Sequence, residues 1–282
     1  MTAAPQPVVL HDIRGPSALG GERRRFFELL WLMAVTEFKR AYFGTVLGYV
    51  WSLLRPLLLF AILLFVFTKI FRLGSTVENY PVLLLFNIVL FGFFQETTVT
   101  AVTSVLGQEG IVRKTHFPRL VIPLSVVVTG LMNLALNLIA VFVFLLAYGL
   151  DPRWTWLLLV PLMVPLTMLT TAISMLLSAL YVRFRDMLII WTVAATVLFY
   201  GTPLLYPIEF APDNLQGPMM INPLAVIFEQ ARVWIIDSSA PTAADAAGGV
   251  ANLIPAAAIF VAVCALGWRV FTRESRRIAE AL

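Results

Sequence analysis

A helix needs about 20 consecutive apolar residues to cross a bilayer, and this chain carries six such runs, at residues 50–70, 81–106, 120–150, 154–180, 188–205 and 253–271. Nothing else in the sequence limits the fold so strongly. The runs make the chain 60% apolar and only 13% charged, against about 45–50% and 25% in an ordinary soluble domain. A soluble core of this size could not hide that much apolar side chain. Disorder, a collagen-like chain, a disulfide scaffold and a soluble enzyme are therefore excluded, and lipid must replace most of the core. The expected class is an all-α integral membrane protein with six transmembrane helices. The third run is longer than one crossing needs, which tilt can absorb. The second is interrupted by Gln95 and Glu96, and the first holds Arg55 near one end.

Charge sets the orientation. Of the 20 basic residues, Lys69, Arg72, Arg153 and Arg232 fall on one side of a six-span chain and the other 16 on the opposite side. Cytoplasmic loops carry the excess of Lys and Arg, so both termini are expected in the cytoplasm. The acids Glu78, Asp151, Glu209, Asp213, Glu229, Asp237 and Asp245 fall on the outer side. That alternation supports six spans independently of hydropathy. A net charge of +4 in so apolar a chain reads as this topogenic bias and not as a nucleic-acid surface.

The intervals between runs carry the remaining information. Residues 1–25 are polar and lack a short apolar stretch followed by a cleavage site, so a loose cytoplasmic arm is expected there, not a signal peptide. Residues 26–54 mix Phe26, Phe27, Leu29, Leu30, Trp31 and Met33 with Glu28, Glu37, Lys39 and Arg40. They read as an N-terminal amphipathic interfacial helix, either a partner surface or an anchor alone. Residues 107–118 place Ile111, Val112 and Phe117 on a loop with Glu109, Arg113 and Lys114. Apolar residues on a charged cytoplasmic loop suit a partner's groove; a solvated topogenic turn is the alternative. Residues 201–234 hold five prolines and no piece long enough to cross. Broken backbone at membrane depth survives only inside protein or beside a water-filled cavity. Re-entrant outer half-helices between spans five and six are therefore expected, with a greasy external loop as the alternative. Residues 237–250 are small and polar and read as a flexible outer linker.

Catalytic and metal chemistry is missing. One cysteine (Cys264) and two histidines (His11, His116) cannot build a Cys- or His-based metal site. No H-E-x-x-H, C-x-x-C or G-x-S-x-G occurs. The glycines of Gly15-Pro-Ser-Ala-Leu-Gly20 have P-loop spacing, but Gly21-Glu22 stands where Lys and Ser or Thr are required. Nucleotide energy would have to come from another polypeptide. Glu96 is the clearest ionisable group within a run and a functional candidate by default, with pairing to a basic residue near the interface as the alternative. Asn133 with Asn137, and Thr170 with Ser174 and Ser178, fall on single helix faces and suit helix packing. Phe60, Phe67, Phe93 and Phe94 could stack on sugar rings or simply face lipid. Tyr80, Trp154, Trp156, Tyr206 and Trp234 suit an interfacial belt.

Three motifs then converge. Arg40-Ala-Tyr-Phe-Gly-Thr-Val-Leu-Gly-Tyr-Val-Trp-Ser-Leu-Leu-Arg-Pro56 resembles the R-x-Y-x-x-S-x-L-G-x-x-W-x-x-x-x-P lead-in to the first span of ABC-2 type exporter permeases. The nearest branch is that of polysaccharide and polyol-phosphate exporters of the O-antigen and teichoic-acid type. The run Gly110-Ile-Val-Arg-Lys-Thr-His-Phe-Pro-Arg119 resembles that branch's F-P-R loop. Thr202-Pro-Leu-Leu-Tyr-Pro207 and Asn222-Pro223 are similar to its T-P-x-x-Y-P and N-P outer elements. Thr45 replaces the usual Ser, and Arg55 a small polar residue. The resemblance covers residue 26 to the end and makes 26–282 one transmembrane domain.

The resemblance implies a permease with no catalytic residue of its own. It implies a homodimer in the bacterial cytoplasmic membrane, bound to two separate ABC ATPase subunits that hold ATP and Mg, and passing a lipid-linked glycan outward. Lys39, Arg40, Glu109, Ile111, Val112, Arg113, Lys114, Phe117 and Arg119 would meet the ATPase. Phe60, Phe67, Phe93, Phe94, Glu96, Tyr200 and Tyr206 are the pathway candidates, and Pro203, Pro207, Asn222 and Pro223 the outer gate. An ABC-2 drug or lipid exporter is the alternative within transport; a membrane glycosyltransferase and a secondary transporter are alternatives outside it.

Overall fold

The computed structural model describes residues 22–42, 48, 50–72, 77, 79–108, 110 and 118–281, with side chains described up to residue 274. Every regular element among them is helical. The principal helices are α1 (Glu22–Tyr42), α2 (Val50–Phe65, continued by a π-helical turn Val66–Ile70), α3 (Tyr80–Gly107), α4 (Val121–Ala147) and α5 (Leu159–Arg183, entered through a 3₁₀ turn Trp154–Leu158). They are followed by α6 (Met187–Gly201), α7 (Asp213–Met219), α8 (Pro223–Ile235), α9 (Ala243–Ala246) and α10 (Ile254–Ala281).

Five helical stretches are long and apolar enough to cross a bilayer: Val50–Ile70, Tyr80–Gly107, Val121–Ala147, Trp154–Arg183 and Val250–Glu274. These make the chain a multi-pass membrane protein. The fifth run, expected as a span over 188–205, is different. Its helix α6 has 15 residues, or roughly 22 Å at 1.5 Å per residue, short of a hydrocarbon core of about 30 Å. The cause is local. Pro203 disfavours helical backbone at the preceding residue, and Thr202 is extended, with φ −99° and ψ 140°.

Helix α3 is the axis of the molecule. It packs against α4, α5, α2 and α6, and α10 packs along α5. Most of α3 is buried, including Tyr80, Phe86, Phe91 and Phe94. Its start is fixed by Asn79, whose left-handed φ of 56° turns the chain into the helix, with Pro81 in the first turn. The end of α4 is equally well specified. Gly149 takes φ +94°, so that its N–H reaches Leu146 O at 3.1 Å and Leu150 N reaches Leu145 O at 3.1 Å, the paired closure that a left-handed glycine allows. Small residues set the closest approaches. A methyl group on Gly130 of α4 would overlap Thr97 Oγ1 of α3, and one on Gly267 of α10 would overlap Ala172 O of α5. Outward faces of the spans are apolar: Leu58, Ile62 and Phe65 on α2, Ile139 and Val143 on α4, and Val261 and Leu266 on α10 are all exposed.

Helix α1 lies along α4. Ala34 is fully buried and its carbonyl accepts from Thr129 Oγ1 at 3.1 Å, while Phe27, Trp31 and Leu32 stay exposed. The amphipathic character expected from the sequence is thus divided between a helix contact and an open apolar face.

Residues 237–250 are not the flexible linker expected. Thr242 and Asp245 form a reciprocal capping box around α9, and Ala246 and Ala247 pack with Ile208, Met220 and Ala225. The alanines that made the segment look featureless are small enough to be buried against α8.

Candidate functional site

Two places on the molecule gather the functional candidates. The first is the ends of α1 and α3. Lys39 and Arg40 are exposed in the last turn of α1. Arg119 is half-buried just before α4, with its carbonyl accepting from Ile122 N at 3.2 Å. Glu109, Ile111, Val112, Arg113, Lys114 and Phe117 lie outside the described residues. The described residue before them is tied down: Gln108 Nε2 donates to Glu37 Oε1 of α1 at 3.1 Å. Further along α1, the Tyr42 hydroxyl donates to Asn133 Oδ1 of α4 at 2.8 Å. Asn137 Nδ2 turns back to its own helix, donating to Asn133 O at 2.9 Å, so within the amide stripe of the third span Asn133 makes the helix-to-helix bond.

A polar face opens from this end along α3. Gln95, Val99, Thr103, Ser104 and Leu106 are half-buried, and Glu96, Thr100 and Gly107 are exposed, on a helix that is mostly buried before them. Glu96 is therefore not the buried carboxylate that its position in an apolar run suggests. Its Oε1 meets Arg55 Nη1 of α2 at 3.4 Å, with the two side chains 61% and 75% exposed. The alternative of a basic partner is the observed one.

The aromatic candidates divide. Phe60, Phe93 and Phe94 sit in the core; Phe60 meets Phe144 edge-on at 5.6 Å and Phe94 meets Trp191 edge-on at 6.2 Å. These three pathway candidates have little free surface in this subunit. For Phe93 and Phe94 burial follows from the central position of α3, which a single apolar run does not reveal. Phe67 is half-buried, stacked on Phe71 at 5.3 Å. Tyr206 is half-buried, and Tyr200 is 63% exposed near the end of α6. Tyr80, expected in an interfacial belt, is fully enclosed.

The second place is the outer segment. Pro203 and Pro207 are buried. Asn222 caps α8 through Oδ1, which accepts from Leu224 N at 3.0 Å, and Pro223 opens that helix. The same amide donates through Nδ2 to Thr202 Oγ1 at 2.9 Å. The T-P-L-L-Y-P and N-P motifs, 20 residues apart, are thus one structural unit. Two further side chains hold it from α3: Tyr80 Oη donates to Leu205 O at 2.8 Å, and Asn87 Nδ2 donates to Leu204 O at 3.0 Å.

An ion cluster closes the unit below α8. Arg232, 7% exposed, contacts Glu209 at 2.7 and 3.0 Å, Glu229 at 3.0 Å and Asp237 at 3.8 Å. Burial pushes the Glu229 carboxyl up to about 7, against the attraction of Arg232. These residues were visible in the sequence only as outer-side charges. The usable signal is the i, i+3 spacing of Glu229 and Arg232 inside an apolar helix, where an unpaired charge would be costly. Among the described residues no group of His, Cys, Asp or Glu is arranged to hold a metal ion.

The described helices form a bundle of apolar crossing segments, with exposed Lys39 and Arg40 near one end of α3 and the folded outer unit at the other, as expected of a multi-pass membrane protein. The family model described as ABC-2 type transporter matches residues 28–236, and the chain belongs to that family. It is similar to the O-antigen export system permease protein RfbA of Klebsiella pneumoniae, at 31% identity over 200 residues, covering 71% of this chain and 76% of the relative. It is likewise similar to the protein of the same name from Myxococcus xanthus, at 30% identity over 239 residues, covering 82% and 91%.

Proposed function

We propose that this chain is the permease subunit of an ATP-driven exporter that moves a lipid-linked polysaccharide outward across the bacterial cytoplasmic membrane. The single observation that carries the reading is the joining of Thr202 to Asn222. It makes two outer motifs of the polysaccharide-exporter branch into one folded element, in a chain whose relatives are named O-antigen export permeases. In this reading α6 and the residues after it complete a sixth span, α7 and α8 are re-entrant at the outer face, and both termini are cytoplasmic. Pro203, Pro207, Asn222 and Pro223 belong to the outer gate. The chain acts as a homodimer with two ABC ATPase chains, which hold the ATP and Mg.

The exposed stripe of α3, with Glu96, Thr100 and Arg55 of α2 beside it, is the surface best suited to a hydrated glycan. It is the polar exception on a mostly buried helix. Tyr200 and Tyr206 offer rings nearer the outer unit. Lys39, Arg40, Arg119 and the loop 109–117 form the ATPase contact.

Co-purification tests this directly. The expected result is a P-loop ATPase retained on the tagged permease, with ATP-dependent transfer of lipid-linked glycan into vesicles when both are present. Transport sustained by the permease with no ATPase overturns the reading. Coupled transport of lipids or drugs without glycan identifies the other ABC-2 branch.

A further inference from the structure

Tyr80 and Asn87 are seven residues apart on α3, and so on one face of the helix. They donate to the adjacent carbonyls of Leu205 and Leu204. All four residues are buried. The recipient stretch cannot satisfy itself in a regular way, because Pro203 and Pro207 have no N–H and break any helix through it. A buried carbonyl without a donor is strongly disfavoured, so the position of residues 202–207 depends on these two side chains. Asn222 grips the same stretch from the other side, through Thr202.

Helix α3 reaches the opposite end of the molecule without an internal proline. At 28 residues it is roughly 42 Å long, and its far end is held to α1 by Gln108 and Glu37. A displacement at that end is therefore delivered along a continuous hydrogen-bonded rod to the two donors. Asn87 also carries a spare group: its Oδ1 is buried with no hydrogen-bond partner. Buried acceptors are rarely left so.

We propose that Tyr80 and Asn87 are positioning residues that latch residues 202–207 onto α3 and keep the outer mouth closed until α3 moves. The proposal rests on the reading of that stretch as part of an outer gate.

The test uses the full-length permease with its ATPase in lipid vesicles loaded with a small hydrophilic dye. Tyr80→Phe removes one donor while keeping the ring, and Asn87→Leu removes the other. Each variant is expected to raise ATP-independent dye release several-fold, and the double variant further, with a lowered but still cooperative thermal unfolding transition for Tyr80→Phe, since the Leu205 carbonyl loses its donor. Glycan export per ATP hydrolysed should fall in parallel. Tyr80→Phe at wild-type leak overturns the proposal, whether or not its unfolding midpoint drops, because a packing role alone would change stability and not permeability. If Asn87→Leu fails to fold, Tyr80→Phe decides the matter. Failure of the transporter reading shows separately, as wild-type vesicles that export no glycan with ATP. The dye comparison needs neither glycan nor nucleotide.

Discussion

Arg232 and Glu209 meet through two parallel contacts, Nη1 to Oε2 at 2.7 Å and Nη2 to Oε1 at 3.0 Å. The pair joins α8 to the turn that follows Pro207. Because Nη1 also reaches Glu229, which is 2% exposed, a single guanidinium neutralises a carboxylate that has almost no water of its own.

Removing that guanidinium should be costly. Breaking one side of a buried ion pair typically destabilises by about 3–5 kcal/mol, so Arg232→Met should lower the thermal unfolding midpoint of the detergent-solubilised protein substantially. Arg232→Lys should recover only part of the loss, since an ammonium cannot reproduce the forked contact. The double variant Arg232→Met, Glu229→Leu should recover more than Arg232→Met alone. An equal loss in both would assign the cost to packing around α8.

The same cluster predicts a pH dependence. Burial holds the Glu229 carboxyl at about 7, against an ordinary 4.5. The folded state then binds the proton more tightly than the unfolded chain. Stability should therefore fall as pH rises from the ordinary carboxyl range through the raised folded value. Unfolding midpoints measured from pH 5 to pH 8 should decline. Glu229→Gln, which carries no titrating group, should flatten the curve; an unchanged decline in that variant would place the titration elsewhere.

Much of this architecture is legible in the chain itself. The apolar runs locate the five long helices because length and hydropathy are one-dimensional properties. The mixed composition of residues 26–54 likewise signals a helix ahead of the first span, although α1 ends at Tyr42. What escapes is whatever depends on which run ends up in the middle. Phe93 and Phe94 look like any lipid-facing phenylalanines until α3 is known to be enclosed, and Tyr80 looks like a belt residue for the same reason. Glu96 reads as buried because its neighbours are apolar, yet the one exposed stripe of α3 carries it. The short α6 shows a different limit: a count of apolar residues passes through Thr202-Pro203, whereas the backbone cannot.

Close helix crossings supply another test. Gly267 touches the Ala172 backbone so closely that an added methyl group would overlap the carbonyl, and backbone cannot swing aside as a side chain can. Gly267→Ala should therefore force α5 and α10 apart, with a loss of about 1–3 kcal/mol typical of overpacking. Gly217→Ala is the control, since nothing lies within 4 Å of its added carbon. Resistance to chemical denaturation should separate the two, and equal behaviour would mean that α5 and α10 do not cross at these residues.

The Arg55–Glu96 pair should behave in the opposite way to the Arg232 cluster. Both side chains are mostly exposed, and exposed pairs contribute about 0–1 kcal/mol. Glu96→Gln and Arg55→Gln are therefore expected to fold with near-wild-type stability. Their effect should fall on transport, because they remove one charge each from the polar stripe of α3 and leave the other without its counter-charge. Each single variant should slow glycan export several-fold, and the exchanged variant Arg55→Glu, Glu96→Arg should recover a large part of the rate. Recovery in the exchanged variant would attribute the defect to the pairing between α2 and α3. Slow export in the exchanged variant would attribute it to the sign of the charge each helix presents, and wild-type export in all three would return the pair to the ordinary surface.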